Sequence, residues 1–368
     1  MIVKQAAAEQ RTIFVAWILF LIGFYLVAGY LASNNLYTDK IESEARHQER
    51  IDPYKTELGK TAPNYQRLNG EENNSEQVKV GVYVDRIETI STKETLWTVD
   101  FYLWFNWQGN KVNPGETFHV VDGEILSKEL IRSSSSDGNH YELYRIAARI
   151  SKAFNIMGYP LDQHQLTIRI EENNLQWEQL QYVPDTEGTT YSSRVNIPGY
   201  VVYRSDLVNK PHAYKSSRGD PNSPDAHKTV YTQLTYALSI KRPDWGLYFK
   251  MFQGLFAAVS IALLAFLLAP ASGDRIGLGV GAFFAAVANS YINLAELPGV
   301  GRVTLTDMVN GLGMVTILLT VFASIISSHL AETKEKIKTA RAFDRISLVV
   351  FAVSFIAVNV TIAISAAM

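Results

Sequence analysis

The sequence predicts a membrane protein in which an antiparallel β-sandwich, extracellular or periplasmic, is followed by a four-helix transmembrane bundle and preceded by one further transmembrane helix. Three patterns carry that prediction. Over 368 residues, 47% hydrophobic and 19% charged with a net charge of −2 describe an ordinary soluble chain, but the average hides a segregation. Apolar residues gather in five long runs, while most charges lie between Asp39 and Asp244. From Gln77 the apolar residues alternate with period two, and the last alternating segment runs almost directly into an apolar run.

Taken in order, residues 1–11 form a cytoplasmic N-terminus and 12–32 a transmembrane helix. Ile13 to Ala32 carries no charge, and about 20 residues at roughly 1.5 Å rise span about 30 Å of hydrocarbon. A signal peptide is the competing reading, but the core is long and "AGYLASNN" is a poor cleavage site, so the run reads as a retained anchor. Residues 33–76 are polar with weak helical periodicity up to Pro53, and read as a solvated helix and linker.

Residues 77–243 are the sandwich. Val78, Val80, Val82 and Val84 alternate with polar neighbours or glycine, and Phe101, Leu103, Phe105 and Trp107 share one face of "DFYLWFNW". Leu166, Ile168 and Ile170 repeat the pattern, as do Leu234, Tyr236, Leu238 and Ile240, with Gly, Asn, Ser and Asp clusters between them. "SIKRPDWGLYFK" then passes from the last strand to the first bundle helix as a short joint, since Pro243 does not continue a strand.

Residues 244–368 form the bundle, with apolar runs Leu247 to Ala269, Ile276 to Leu297, Met308 to Leu330 and Ile346 to Met368. Lys4 and Arg11 precede the anchor, and Lys334, Lys336, Lys338, Arg341 and Arg345 precede the last run. Positive-inside bias puts both in the cytoplasm, so five crossings leave the sandwich and the C-terminus outside the plasma (inner) membrane.

Several function classes fall away. The absence of cysteine excludes a disulfide framework and thiolate metal sites. No HExxH, GxSxG or P-loop pattern is present, the histidines are scattered, and no catalytic constellation, cofactor or metal site is read; the chain is not expected to be an enzyme. His164, beside the turn, is read as a surface residue rather than a ligand. The charge balance points to no nucleic acid.

The order of several motifs resembles the pentameric ligand-gated ion channels, the Cys-loop receptors and their bacterial relatives lacking the disulfide, over roughly Gln77 to Met368. "VKVGVYVDRIETI" and "VDFYLWFNW" look like the family's first strands, with Trp107 at its strand-two tryptophan. "YPLD" stands where the family has Phe/Tyr-Pro-Phe-Asp, and "IKRP" carries its pre-helix arginine at Arg242. "SGDRIGLGV" is similar to the start of the pore helix of cation-selective members, and "AELPGVGRVTLTD" to its outer end and following loop, with family spacing from Arg275 to Pro298. Lys152 and Leu166 replace the two family cysteines, Phe256 lies near the missing proline of the first bundle helix, and Thr92 occupies the place of an acid whose nearest candidate is Glu94.

The resemblance implies a homopentamer in a lipid bilayer passing monovalent cations, opened by an unidentified small molecule, ion or proton. The competing reading is a non-conducting membrane-anchored sensor or scaffold with the same fold. In the family register the pore stripe would be Gly277, Gly281, Phe284, Ala288, Tyr291 and Ala295, with Phe284 a gate that dewets, although Phe283 competes with it. Gly277, Gly279 and Gly281 have a second reading, close helix contact. Asp274 would form a carboxylate ring at the inner mouth and Glu296 one at the outer mouth. Asn289 and Asn293 would bridge helices. Coupling would fall to Tyr159, Pro160, Leu161, Asp162, Arg242, Arg302 and Glu94, with Tyr159 and Leu161 as apolar plugs and Asp162 paired to Arg242. Ligand-binding aromatics would be Tyr102, Tyr200, Tyr203, Tyr214 and Tyr231, capped by "KSSRGDPNSPDAHK"; ordinary packing of these tyrosines is the competing reading.

Overall fold

A computed structural model describes residues 2–57, 60–61, 75–214, 230–295, 301–331 and 337–367; for 2–11, 13, 56–57, 60–61 and 292–295 only the backbone is described. The chain divides into two compact units. One comprises Glu42–Asn155 and Gln163–Pro243; the other comprises Met1–Ile41, Ile156–Asp162 and Asp244–Met368.

The first unit is a two-sheet β domain. Its strands are β1 (Lys55–Glu57), β2 (Lys60–Thr61), β3 (Glu76–Ser91), β4 (Leu96–Gln108), β5 (Phe118–Val120), β6 (Gly123–Ser136), β7 (Asn139–Ser151), β8 (Gln163–Glu172), β9 (Leu180–Pro184), β10 (Thr190–Tyr191), β11 (Val201–Ala213) and β12 (Val230–Lys241). One sheet runs β10-β3-β4-β7-β6 with β9 also on β3, the other β11-β12-β8-β5. All four predicted apolar rows meet in one buried cluster, from Val78 and Phe101 to Ile168 and Tyr236. Alternation therefore located the core, because each sheet has one inward face.

The sheets are mixed rather than purely antiparallel. Both β9 and β10 run parallel to β3, pairing Leu180 with Glu76 and Thr190 with Tyr83. These short return strands take up hydrogen-bonding groups along the β3 edge, which would otherwise be an open edge. Period-two patterning reports which face a residue occupies and is silent on strand direction.

The polar segment after the anchor differs most from expectation. A single helix, α1, runs from Ile2 to Ile51 without a break at Ala32. At roughly 1.5 Å per residue it is about 75 Å long, well over twice the hydrocarbon thickness. It stops two residues before Pro53, whose ring cannot continue it. Its last turns are not simply solvated. Ser43 is buried, Gln163 Nε2 donates to Glu44 Oε1 (3.2 Å), Gln165 Nε2 donates to the His47 carbonyl (3.4 Å), and Lys210 Nζ donates to the carbonyls of Glu49 (2.9 Å) and Arg50 (3.2 Å). Lys210 thereby satisfies two carbonyls that a helix C-terminus leaves open. β12, between β11 and β8, is buried on both faces, Gln233, Thr235, Ala237 and Ser239 as well as the core row.

The second unit is helical: α2 (Gly246–Leu264), extended by a 3₁₀ turn to Leu267, then α3 (Asp274–Ala295), α4 (Leu305–Ala331) and α5 (Ile337–Ala367), with the first 41 residues of the chain. Among the described residues four helices are long and apolar enough to cross a membrane: Phe14–Ile51, Gly246–Leu267, Leu305–Ala331 and Ile337–Ala367. With a β domain between the first and the rest, this is the architecture of a membrane-embedded protein. The fifth expected crossing, α3, has the length but not the apolarity, because Asp274, Arg275, three glycines and Asn289 dilute it. α1 packs through a narrow stripe. Trp17 Nε1 donates to Ser347 Oγ (3.3 Å), Tyr25 and Thr316 share a buried hydroxyl hydrogen bond (2.8 Å), and Gly29 lets Val358 approach where a Cβ would sit at 3.2 Å.

Candidate pore helix and coupling turn

Helix α3 begins at a turn that separates two adjacent charges. Ser272 Oγ lies 3.1 Å from Asp274 Oδ2 and 3.3 Å from the Asp274 amide, so the acid sits exposed at the helix N-terminus, where the macrodipole favours it. Arg275 points the opposite way and is fully buried. Its Nε donates to the Ala265 carbonyl (2.7 Å), Nη1 to the Pro270 carbonyl (3.5 Å), and Nη2 lies 2.8 Å from Asp344 Oδ1 of α5. The acid that balances Arg275 is therefore Asp344, not its sequence neighbour Asp274. Sequence reading missed Asp344, since an acid 69 positions away can only be matched to Arg275 in three dimensions.

One face of α3 is left uncovered. Asp274, Gly277, Gly281, Phe284, Ala288 and Tyr291 are all exposed, Phe284 at 68% and Tyr291 at 72%. Their three- and four-residue spacing puts them on one side of a helix, while Arg275, Gly279, Ala282 and Ala286 on the other side are buried. Ala295 has only its backbone described, and Glu296 lies outside the described residues. Of the competing pair, Phe284 is the exposed ring and Phe283 is half-buried.

The glycines divide between their two readings. A Cβ at Gly277 or Gly281 would meet nothing within 4 Å, whereas one at Gly279 would lie 2.2 Å from Val321 of α4. Gly279 is a helix-contact residue, and the other two keep the uncovered face small. Asn289 sits against Gly254 of α2, where a Cβ would lie 2.6 Å from its Oδ1, and its buried Nδ2 makes no hydrogen bond among the described residues. Asn293 has only its backbone described.

The Tyr-Pro-Leu-Asp turn groups with the helical unit rather than with the sandwich that supplies it. The Tyr159–Pro160 bond is cis, Ile156, Tyr159, Pro160 and Asp162 are buried, and Leu161 is half-buried. Its backbone is hydrogen-bonded to the start of α4: the Leu305 amide donates to the Met157 carbonyl (2.7 Å) and Thr306 Oγ1 to the Tyr159 carbonyl (3.0 Å). The same helix start is capped by Thr304 and Asp307, with Thr304 N donating to Asp307 Oδ2 (2.9 Å) and Asp307 N to Thr304 Oγ1 (3.2 Å). The α4 N-terminus is thus held from both sides, and in sequence it is the element next after α3.

The remaining coupling candidates are spread out. Arg242 lies over the Tyr200 ring (3.8 Å), donating to Tyr200 Oη (2.8 Å) and the Gly199 carbonyl (3.2 Å); Gly199 has φ of 76° and no room for a side chain there. Asp162 and Arg242 fall in different units. Glu94 is exposed in the β3–β4 turn, and Arg302 is exposed with Asp39 at 3.9 Å.

The five tyrosines do not converge within one chain. Tyr214 and Tyr231 meet edge to face at 5.8 Å beside His212, whereas Tyr200 and Tyr203 lie at the other end of the β11–β12 pair. Tyr102 sits on the other sheet against Tyr83. The "KSSRGDPNSPDAHK" cap lies outside the described residues. Beside Tyr214 is a site that sequence reading did not find. Glu171, 1% exposed, accepts from His212 Nδ1 (2.5 Å), Tyr214 Oη (2.5 Å) and Gln233 Nε2 (2.7 Å), with His119 at 3.7 Å. Burial alone would push its carboxyl up, but His212 and the hydrogen bonds outweigh this and hold it below the usual carboxylate range. Next to it Glu172 continues the core row of β8 and accepts from Thr117 Oγ1 (2.6 Å). An acid in register with Leu166, Ile168 and Ile170 was the sequence signal for a buried carboxylate here. Also contrary to expectation, His164 is buried, between Phe154 and Tyr200.

Among the described residues no three His, Cys, Asp or Glu side chains are placed to hold a metal ion. Comparison of the chain with protein-family models and with curated proteins gives no match, so the family reading rests on the motifs and on this geometry.

Proposed function

We propose that the protein is a pentameric, cation-selective channel of the ligand-gated type, in which the β domain receives the stimulus. The observation that carries this is the uncovered face of α3. A lipid-facing stripe is expected to be large and apolar throughout, yet this one combines an acid, two unopposed glycines, an alanine and a tyrosine with Val280 and a single large apolar ring, Phe284. Five such faces around an axis would make a pore with a carboxylate ring at Asp274 and a dewetting constriction at Phe284. The Asp274 ring would concentrate cations in a low-dielectric neck.

Coupling would run through the proline turn. Its carbonyls hold the first turn of α4, so a displacement of the turn shifts that helix start and, through the intervening loop, the outer end of α3. The stimulus site would lie near Tyr214, Tyr231 and Glu171, where a charged buried carboxylate and aromatic rings adjoin the loop after β11.

The natural absence of cysteine makes the test clean. Cysteines introduced one at a time at Gly277, Gly281, Ala288 and Tyr291 are expected to react with water-borne thiol reagents in liposomes, while Ala282 and Ala286 stay protected. Uniform protection would favour the non-conducting scaffold. In bilayers the reversal potential should follow the cation gradient and relax toward non-selectivity in Asp274→Ala; a chloride-following potential unaffected by that change overturns the selectivity.

A further inference from the structure

We infer that Asp344 of α5 determines ion selectivity at the inner mouth, acting from inside the bundle by cancelling the charge of Arg275. The inference rests on the channel reading above and adds to it the residue that sets the sign of the mouth's charge. It starts from a conflict. Asp274 is the carboxylate offered to cations, yet the next residue in the chain is a cation, and the N-terminus of α3 adds about half a positive charge of its own. One carboxylate per copy outweighs the helix terminus, but not the terminus and an uncompensated guanidinium together.

The fold resolves the conflict by enclosing Arg275. Its side chain is fully buried, with Nε donating to the Ala265 carbonyl (2.7 Å), Nη1 to the Pro270 carbonyl (3.5 Å) and the guanidinium over the Phe266 ring at 5.8 Å. Those carbonyls belong to the 3₁₀ turn after α2 and to the turn before α3, and Ser328 Oγ of α4 donates to the Pro270 carbonyl as well (2.7 Å). Carbonyls satisfy the guanidinium's donors without removing its unit charge. Asp344, whose Oδ1 lies 2.8 Å from Nη2, removes it.

Asp344 is committed to this pairing. It is 2% exposed, and neither of its oxygens accepts a hydrogen bond among the described residues. Arg341 and Arg345 on the neighbouring turns are exposed, so Asp344 is the charge that α5 sends inward there. A buried ion pair is a poor source of stability, because apolar residues of similar volume often serve as well or better. What an apolar pair cannot do is keep two carbonyls on a guanidinium while hiding its charge from the mouth. Without Asp344 the charge balance of each copy at the mouth passes from negative to positive, and five copies add.

The test is the reversal potential of the full chain in bilayers under a potassium chloride gradient. Asp344→Asn keeps the size of the side chain and removes its charge, and should lower the cation-over-anion permeability ratio about tenfold or more. Asp344→Glu should keep the ratio high. Arg275→Met combined with Asp344→Leu removes both charges and should also keep it, although this variant disturbs the packing more than Asp344→Asn does. That order separates charge from structure, since a merely structural role for Asp344 predicts the larger loss in the double variant. Melting midpoints in detergent accompany each variant; should Asp344→Asn fail to fold, the double variant carries the test, and loss of selectivity in its folded form overturns the assignment. An unchanged ratio in folded Asp344→Asn also overturns it while leaving the channel reading intact. A wild type that passes no cation-selective current overturns both.

Discussion

The two units bury their side chains by opposite rules. In the β domain the interior is apolar and most polar groups lie outside the core rows, with His164, Glu172 and Thr232 at the row ends as exceptions. In the helical unit the surroundings are apolar and the interior carries the polar contacts: Arg275 with Asp344, Tyr25 with Thr316, and the buried Thr and Ser row of α4 from Thr316 to Ser327. Water drives the first arrangement, since it expels Val, Phe and Trp. Lipid cannot drive the second that way, because tails are as apolar as leucine, so specific polar pairs and close small-residue contacts take over. A helix that leaves glycines, an acid and a tyrosine uncovered in such a unit is expected to find water or another copy of itself, and α3 does so along one face.

The contrast can be broken at its strongest point first. Arg275→Met leaves Asp344 buried without its cation and should cost about 3–5 kcal/mol, read as a lowered melting midpoint or loss of folded protein in detergent. Combining it with Asp344→Leu should recover most of that loss; if the double variant is as unstable as the single, the pair is not the cause. In the β domain Leu103→Ala should cost about 2–5 kcal/mol through an apolar cavity, with no comparable rescue by a second change. The finest comparison lies within α3. Gly279→Ala meets Val321 and should destabilise by about 1–3 kcal/mol, while Gly277→Ala, with nothing near, should be neutral or slightly stabilising through helix propensity. Equal effects at the two glycines would refute the division of α3 into a packed and an uncovered face.

Much of this was legible beforehand, and the residues show where legibility stopped. The core rows of β3, β4, β8 and β12 were readable because an inward face imposes period two on the chain itself. The α3 residues that family register singles out, and whose side chains are described, are exposed in the single chain, and so are Ile276, Val280 and Ala285 beside them. What could not be read were pairings between distant positions: Arg275 with Asp344, Glu171 with His212 and Tyr214, and the last turns of α1 with β8 and β11. The polar stretch after Ala32 looked solvated because its charges are interspersed, and periodicity cannot say that its last turns meet a sheet.

The sequence alone determined the elements, since helix length, strand alternation and the proline stop after α1 are local consequences of residue type and spacing. Tertiary structure decided partnership. It grouped the Tyr-Pro-Leu-Asp turn with the helices through Leu305 and Thr306, sent Asp274 outward and its neighbour Arg275 inward, and laid the last turns of α1 on the sheet. The physical reason is that local sequence sets backbone conformation within a few residues, whereas the cost of burying a charge is settled only by what the folded chain brings beside it.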